Sequence, residues 1–598
     1  MKTPKEGRLK PLAHLNKYLS QYKYHLLWGA LFVATSNFFS VYSATLARGA
    51  FDQIQTVLGQ KAGLGGEIGE GFYVLIARYG GFILGCALLR GVFLFFMRQT
   101  IIVMSRHVEY DLKNEIYVHY QRLPVAFYKM NNTGDLLARI SEDLSRVRMY
   151  LGPCLMYGTN MITLFALVIP YMFSISPRLA FFVLLPLPLL SISIYYVNGW
   201  IDKRSEKIQR QLSSLSTFVQ EIFSGIRVVK ASGRENHFEQ SFLQKSQQYR
   251  QHVLRLIRVS ALFFPFMLLL IGLSVLLAVY VGSLEVIAGR LKVGNIAEFI
   301  IYAHMLTWPV TSLGWVFSTM QRAATSQRRI NEFLEVAPLQ NTGVLPRKNN
   351  TLRGDIRFQH VCFKYPNTEK NVLQDISFDL PSKKSIAILG AIGAGKTTLA
   401  NLIGCFYTAQ HGQILIDQED ISKYDIHRLR NHVGYAPQDG FLFSDSFRNN
   451  LLFGNPQATE KDMQKVLEEV GLIDYVQGLQ EGWDTHIGER GVNLSGGQKQ
   501  RLSMARALLR KSKILIIDDG FSSVDAQTEH HILKCLQRYQ QDKTTLLISH
   551  KVATTRITDQ VMVLEEGKIR EIGTHKSLWQ QEGIYWAMCK RQSVSPPV

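Results

Sequence analysis

Apolar residues are spread unevenly along this chain. Up to about residue 330 they gather in long unbroken runs, and beyond it they fall into strand-length and helix-length groups between polar turns. Because a helix rises roughly 1.5 Å per residue, about 20 apolar residues cross roughly 30 Å of hydrocarbon. Six segments are long enough, near His25–Arg48, Phe72–Met104, Leu151–Ile175, Leu179–Gly199, Leu262–Val286 and Ile296–Phe317. An even number of crossings returns the chain to the side where it began. Only a turn at Ser176 and Pro177 separates the third and fourth, and a short loop around Gly289–Gly294 separates the last two. In contrast, about 45 polar-patterned residues lie between the second and third, and about 60 between the fourth and fifth. Their helical periodicity extends the membrane helices into the cytoplasm. A short amphipathic segment, Leu12–Tyr22, predicts a helix along the inner surface.

The remainder reads differently. Apolar strands such as Ser385–Leu389 and Ile514–Ile517 alternate with helical patterns, as in an α/β protein. The fold class expected is an all-α six-helix transmembrane domain followed by an α/β P-loop nucleotide-binding domain. Its boundaries are 1–330 for the membrane domain with two long cytoplasmic loops, 331–350 for a polar linker, 351–591 for the nucleotide domain and 592–598 for an unstructured tail. No internal repeat is present, so the chain holds one membrane half and one nucleotide half.

Charge supports this layout. The net charge of +20 would suit nucleic acid or anionic lipid, but its distribution follows the positive-inside bias instead, and no nucleic-acid partner is expected. Lys2, Lys5, Arg8, Lys10, Lys17 and Lys23 precede the first apolar run with only Glu6 against them, and Lys203, Arg204, Lys207 and Arg210 follow the fourth. Both clusters place the N-terminus and the nucleotide domain in the cytoplasm, with the chain integral to a membrane. Six cysteines, without CxxC or metal spacing, support neither a disulfide scaffold nor a zinc site. The first apolar run is long, lacks a clean small-residue cleavage site and is followed by more runs, so it reads as an anchor, not a secretory leader.

Candidate chemistry concentrates in the second half. Gly390, Gly393, Gly395, Lys396 and Thr397 satisfy GxxxxGK[ST] between an apolar strand and a helix beginning near Thr398. In that pattern backbone N–H groups wrap phosphates, Lys396 offsets charge on the β and γ groups, and the Thr397 hydroxyl can reach Mg²⁺. Further on, Leu494, Ser495, Gly496, Gly497 and Gln498 form a glycine turn feeding a helix, offering free N–H groups and a positive dipole end to an anion. The run Ile514–Ile517 then delivers two adjacent carboxylates, Asp518 and Asp519, at the end of a buried strand.

LSGGQ followed by four apolar residues and two acids resembles the pattern of ABC-type ATPases. The stretch QRLPVAFYKMNNTGDLLARISEDLSRV resembles the first intracellular loop of type IV ABC exporters, the multidrug-resistance-like or lipid-flippase class, and Glu221, Gly225, Val229, Lys230 and Ala231 resemble the second. The resemblance implies short transverse helices near Pro124–Asn131 and Ser213–Phe223 that touch nucleotide domains. It also assigns roles. Tyr365 in CFKYP would stack the adenine, and Thr398 would lie beside the phosphates. Gln438 in YAPQDGFLF would reach Mg²⁺ and the attacking water, and Asp518 would hold Mg²⁺ through water. His550 in LLISH would contact the γ-phosphate, and Asp525 would close the segment that communicates between sites. Ser495, Gly496, Gly497 and Gln498 would act in trans on ATP bound to a partner's P-loop. Such a half-transporter must dimerise.

Asp519 departs from the pattern, which has Glu as catalytic base. Losing one methylene withdraws the carboxylate by about one C–C bond, and a base must sit within about 2.6–3.2 Å of its proton. Two readings follow: a hydrolysis-impaired site in a heterodimer whose competent site sits on the partner, or a homodimer, such as a lipid flippase, with slower turnover. The cargo expected is a hydrophobic or amphipathic small molecule, drug or lipid, exported or flipped across a bacterial inner membrane. An arginine at membrane depth marks a functional site by default, which singles out Arg90. It resembles an arginine of lipid A flippases, although Trp308 stands where a second basic residue would precede Pro309. His304 and Trp308 are further candidates for an aromatic cavity. A soluble ABC ATPase is excluded by the membrane segments. An ATP-gated channel or regulator would share the architecture.

Overall fold

The computed structural model describes residues 10–62, 70–338, 352–366 and 368–592. They form two compact units. One takes in the described residues through Gln121 together with Thr133–Val336, and the other Arg122–Asn132 with those from Ala337 onward.

The first unit is helical. Short helices at Lys10–Leu15 and Asn16–Gln21 bury Leu12, Leu15 and Tyr18, which accounts for the amphipathic pattern there. The long helices are α1 (Lys23–Ala62), α2 (Glu70–Arg122), α4 (Thr133–Ile175), α5 (Pro177–Ser224), α7 (Glu235–Ile287) and α8 (Val293–Leu334), with short α3 (Val125–Met130) and α6 (Ile226–Ala231) between them. Among the described residues, α1, α2, α4, α5 and α7 are long and apolar enough to cross a membrane. The sixth expected crossing falls inside α8, whose run is diluted by Asn295, Glu298, His304 and Thr307. At 53 residues each, α2 and α7 are about 80 Å long, far more than a bilayer needs, so the polar stretches prolong the membrane helices.

The turn between α4 and α5 is explained by two residues. Ser176 caps α5 by accepting from the Leu179 N–H at 3.3 Å, and Pro177 occupies the first helical position, where no N–H is needed. The second transverse helix is displaced from its expected place. Residues Ser213–Phe223 are the interior of α5, because nothing from Ile201 to Ser224 breaks a helix; the break comes at Gly225, and the short helix is α6.

Val168, Met172, Leu190, Phe299 and Leu306 build the apolar core between α4, α5 and α8. Of the buried carboxylates in this unit, Glu298 is fully enclosed and accepts from Arg48 at 3.2 Å, Thr45 at 3.2 Å and Tyr302 at 2.9 Å, joining α1 to α8. Only 11% of the apolar window of α2 is buried within the chain.

The second unit carries two sheets. One is antiparallel, in the order β2 (Leu373–Leu380), β1 (Ile356–Phe363), β4 (His411–Ile416), β5 (Glu419–Asp420). The other runs β10 (Lys568–Gly573), β9 (Gln560–Glu565), β3 (Ser385–Leu389), β8 (Thr544–Ile548), β7 (Ile514–Asp518), β6 (Val433–Ala436), all parallel except β10. Around them lie α9 (Lys396–Ile403), α10 (Gly496–Leu509), α11 (Ala526–Gln540) and α12 (Ile584–Arg591). Helix α3 packs here too. Ala126 rests on the core around β1, and the Lys129 ammonium lies 5.4 Å from the Tyr365 ring centre and 5.7 Å from that of Tyr407.

Candidate nucleotide-binding site

Four adjacent parallel strands, β6, β7, β8 and β3, end at one level, because Ala436 pairs Ile517, Asp518 pairs Ile548 and Ile388 pairs Ile548. Every loop leaving that edge carries a singled-out residue: the glycine turn after β3, Gln438 after β6, Asp518 and Asp519 at the end of β7, and His550 after β8. Ligands of open α/β sheets bind at such carboxyl edges.

Gly390 opens the turn at φ 153°, and a Cβ there would fall 2.2 Å from the Leu564 carbonyl oxygen, so no other residue fits. Gly393 and Gly395 complete it, and α9 begins at Lys396. The N–H groups of Ile392, Gly393, Gly395, Lys396 and Thr397 donate to no carbonyl among the described residues. A row of free N–H groups at a helix start is a ready anion cradle. The Lys396 ammonium folds into the same turn, donating to the carbonyls of Gly390 at 2.8 Å and Ala391 at 2.9 Å, and lies 3.4 Å from His550 Nε2. Burial lowers its pKa, against the pull of Asp519 and Asp518. A phosphate would replace those neutral carbonyls with a charged partner, a stronger bond.

Thr397 donates to Asp518 Oδ1 at 3.2 Å. Burial pushes the Asp518 carboxyl up to about 6, while the Thr397 hydrogen bond draws it back. The other oxygen, Oδ2, is sealed from solvent with no hydrogen-bond partner. An orphaned buried carboxylate oxygen beside a threonine hydroxyl fits a hard divalent cation. Asp519 is 8% exposed, with its N–H bound to the Ile548 carbonyl and its Oδ2 3.5 Å from Gln438 Nε2. Its φ is 49°, the left-handed region, which Asp tolerates better than most side chains.

Tyr365 is half-buried, edge-on to Phe363 and Tyr407, and its hydroxyl lies 3.0 Å from Thr398 Oγ1. Thr398 is thereby tied to the tyrosine rather than aimed into the turn. In the LSGGQ segment Ser495 caps α10 in a reciprocal box: its hydroxyl accepts from the Gln498 N–H at 3.2 Å, and the Gln498 side chain accepts from the Ser495 N–H at 2.8 Å. Gly497 presses on the next loop, where a Cβ would stand 2.5 Å from the Ser523 carbonyl oxygen. Asp525 caps α11 by accepting from Thr528 N–H at 2.9 Å, a bond that holds its pKa low.

Two side chains that sequence reasoning passed over hold these loops. Gln500 donates to Ser522 at 2.7 Å and accepts from the Ser523 N–H at 3.1 Å; its place two residues after LSGGQ was its only signal. Gln592, at the start of the expected tail, is ordered instead. It donates to the His550 carbonyl and accepts from the Val552 N–H, both at 2.8 Å, because α12 ends against that loop.

The first unit has a separate cavity of about 240 Å³ between α1, α2, α4 and α8. Arg90 and Trp308 line it; His304, one helical turn nearer the start of α8, is exposed and does not.

Two family descriptions match the chain, the ABC transporter transmembrane region over residues 26–310 and ABC transporter over residues 373–522. The probable multidrug resistance ABC transporter ATP-binding/permease protein YheI of Bacillus subtilis is 34% identical over 491 residues, 81% of this chain and 83% of that one. An ATP-dependent lipid A-core flippase of Pseudomonas fluorescens is 33% identical over 487 residues, 81% of this chain and 80% of the flippase. The structure of a bacterial Atm1-family ABC exporter with ATP bound shares the fold, with a TM-score of 0.75 over 98% of this chain and 100% of that chain at 23% identity.

Proposed function

The chain belongs to the ABC transporter family, and from that premise we propose that it is one half of a dimeric exporter that uses ATP to move an amphipathic molecule out of the cytoplasm or between leaflets. The observation carrying this reading is the convergence of the glycine turn, Gln438, Asp518, Asp519 and His550 on one sheet edge, in a chain whose described residues include five helices of membrane-crossing length and apolarity.

The residues divide the work as follows. The free N–H groups and Lys396 bind the phosphates, and Tyr365 offers a ring face to the base. A Mg²⁺ ion held by Thr397, Asp518 and Gln438 would offset charge on the transferring phosphoryl group. Asp519 orients the attacking water and takes its proton, and His550 steadies the γ-phosphate. Ser495 and Gly496 are exposed and bond to no part of this chain's own P-loop among the described residues, which supports their service to a partner's nucleotide. The short reach of Asp519 supports a partner that is a different half-transporter with a longer base. The intact LSGGQ and His550 favour a second reading, a homodimer with slow turnover.

Proteoliposomes holding the full transporter test the export reading. ATP should drive movement of a fluorescent amphiphile, and Lys396→Ala combined with loss of the equivalent P-loop lysine in the partner should abolish it. ATP hydrolysis without any coupled flux would sink export in favour of a channel or regulator.

A further inference from the structure

His550 is followed by a lysine that reaches toward the loop after β7. The Lys551 ammonium donates to Glu529 Oε2 at 2.6 Å and to the Phe521 carbonyl at 2.9 Å. Glu529 lies in the first turn of α11 and is 7% exposed, and its Oε1 is sealed from solvent without a hydrogen-bond partner among the described residues. A cation held between a buried carboxylate and a main-chain carbonyl is a stiff, charge-assisted link, unlike an ion pair in water. The backbone on either side of it is fixed as well. The Lys551 N–H donates to Ser549 Oγ at 2.9 Å, the Lys551 carbonyl accepts from Thr554 at 2.8 Å, and Gln592 grips the His550 carbonyl.

Phe521 belongs to the segment 520–525, which joins the acids of β7 to α11. Its ring is 1% exposed, in the same core as Leu502 and Met504 of α10. The next two residues are held by Gln500 of that helix, and the Ser523 carbonyl lies against Gly497. A continuous row of contacts thus runs from His550 through Lys551, Phe521, Ser523 and Gln500 to Ser495 at the start of α10. Its two ends serve different nucleotides, His550 this chain's own and Ser495 the partner's, so the inference rests on the export reading and deepens it. The row also has a driver at its first end. His550 Nε2 faces the Lys396 ammonium at 3.4 Å. A γ-phosphate bound to Lys396 gives the imidazole a charged acceptor instead and draws the loop toward it.

We propose that Lys551 is a positioning residue that makes the His550 loop and residues 520–525 move as one piece, so that the γ-phosphate on this chain sets how Ser495 meets the partner's nucleotide. Coupling between sites travels through such packed and hydrogen-bonded contacts when a link in them is stiff. Without the tie His550 would still reach its own phosphate, but the segment would not follow.

The test uses the full dimeric transporter with Lys551 changed in one subunit only, opposite an unaltered subunit told apart by a tag. Azido-ATP with orthovanadate traps and photolabels nucleotide in each subunit separately. Lys551→Met should lower trapping in the unaltered subunit by about fivefold or more, the scale of ordinary coupling between sites. Photolabelling on ice without vanadate, which reads binding alone, should stay within about twofold in both subunits. Lys551→Arg keeps a cation between the same two acceptors and should restore most of the trapping. Because Lys551→Met strands the Glu529 charge, Lys551→Met combined with Glu529→Met removes both partners, and the same loss there reports the missing tie and not an orphaned carboxylate. A loss confined to the altered subunit would overturn the proposal, since Lys551 would then support only its own histidine. Binding that falls as far as trapping would overturn it too, as the sign of a damaged fold. Ser495→Ala in the same one-sided dimers separates these failures from failure of the premise. It should lower trapping in the unaltered subunit; if it does not, the assignment of LSGGQ to the partner's ATP falls, and the role of Lys551 with it.

Discussion

At the scale of single residues, Asp519 carries the sharpest consequence. Its carboxylate sits at the edge of the site, 3.5 Å from Gln438, on a left-handed backbone that suits Asp. Replacing it with Glu adds one methylene of reach toward a water over the phosphates, and about 1 Å of placement is worth on the order of a hundredfold in rate. Asp519→Glu should therefore raise kcat for ATP by about tenfold or more, read by steady-state phosphate release, with KM changing little. An unchanged kcat would mean that reach is not what limits this site. The departure was visible in the sequence because its neighbours fit a pattern closely enough to expose one missing methylene. Gln592 was not, since nothing in its own type or spacing reports what faces it.

At the scale of elements, strands and motif-bearing helices were legible where composition was one-sided. Ser385–Leu389 is β3 to the residue, and the apolar run before Asp518 is β7. The transverse helix expected at Ser213–Phe223 was misplaced because polarity alone does not end a helix; Gly225 does. The contact between α12 and the loop after β8 is invisible in sequence for the same reason that it matters: it joins segments some forty positions apart, Gln592 clasping His550 and Val552. Gln592→Ala should loosen His550, lowering kcat several-fold, on the order of tenfold at most, while nucleotide affinity measured by fluorescence titration stays within about twofold. A fall in affinity equal to the fall in kcat would show that the clasp supports the fold of the site rather than the position of the histidine. In the membrane unit, Glu298 ties α1 to α8. Glu298→Gln leaves Arg48 without its carboxylate. Breaking such a pair costs about 3–5 kcal/mol when both charges are buried, and less here, because Arg48 keeps 30% of its side chain exposed. The detergent-solubilised protein should unfold several degrees lower, and Arg48→Gln added to Glu298→Gln should recover part of the loss, as a coupled pair requires. Additive losses would show that the two residues do not interact.

At the scale of the whole molecule, the separation between the phosphate-binding residues and LSGGQ becomes an experiment on partnership. Lys396 serves the nucleotide bound to this chain, whereas Ser495 is exposed, bonds only within its own cap, and is proposed to serve the nucleotide bound to the partner. If this chain holds the slower site of a heterodimer, the two residues are not equivalent. Lys396→Ala removes a site that turns over little, so ATPase of the co-purified pair should fall by about threefold or less. Ser495→Ala, or a bulkier Ser495→Arg, disables the site that does the hydrolysis, and activity should fall by about a hundredfold, the scale of losing a positioned donor to the transition state. A homodimer behaves otherwise. Every site then uses one Lys396 and one Ser495, so each substitution alone abolishes activity. Co-expressing the two mutant chains would restore about a quarter of it, because mixed dimers, half of the population, each keep one intact site out of two. The ratio of the two losses, read on the same preparation by phosphate release, separates the cases without knowledge of the cargo. Equal losses together with rescue by mixing would assign the slow base to a symmetric machine, and strongly unequal losses would assign this chain the role of holding ATP while its partner spends it.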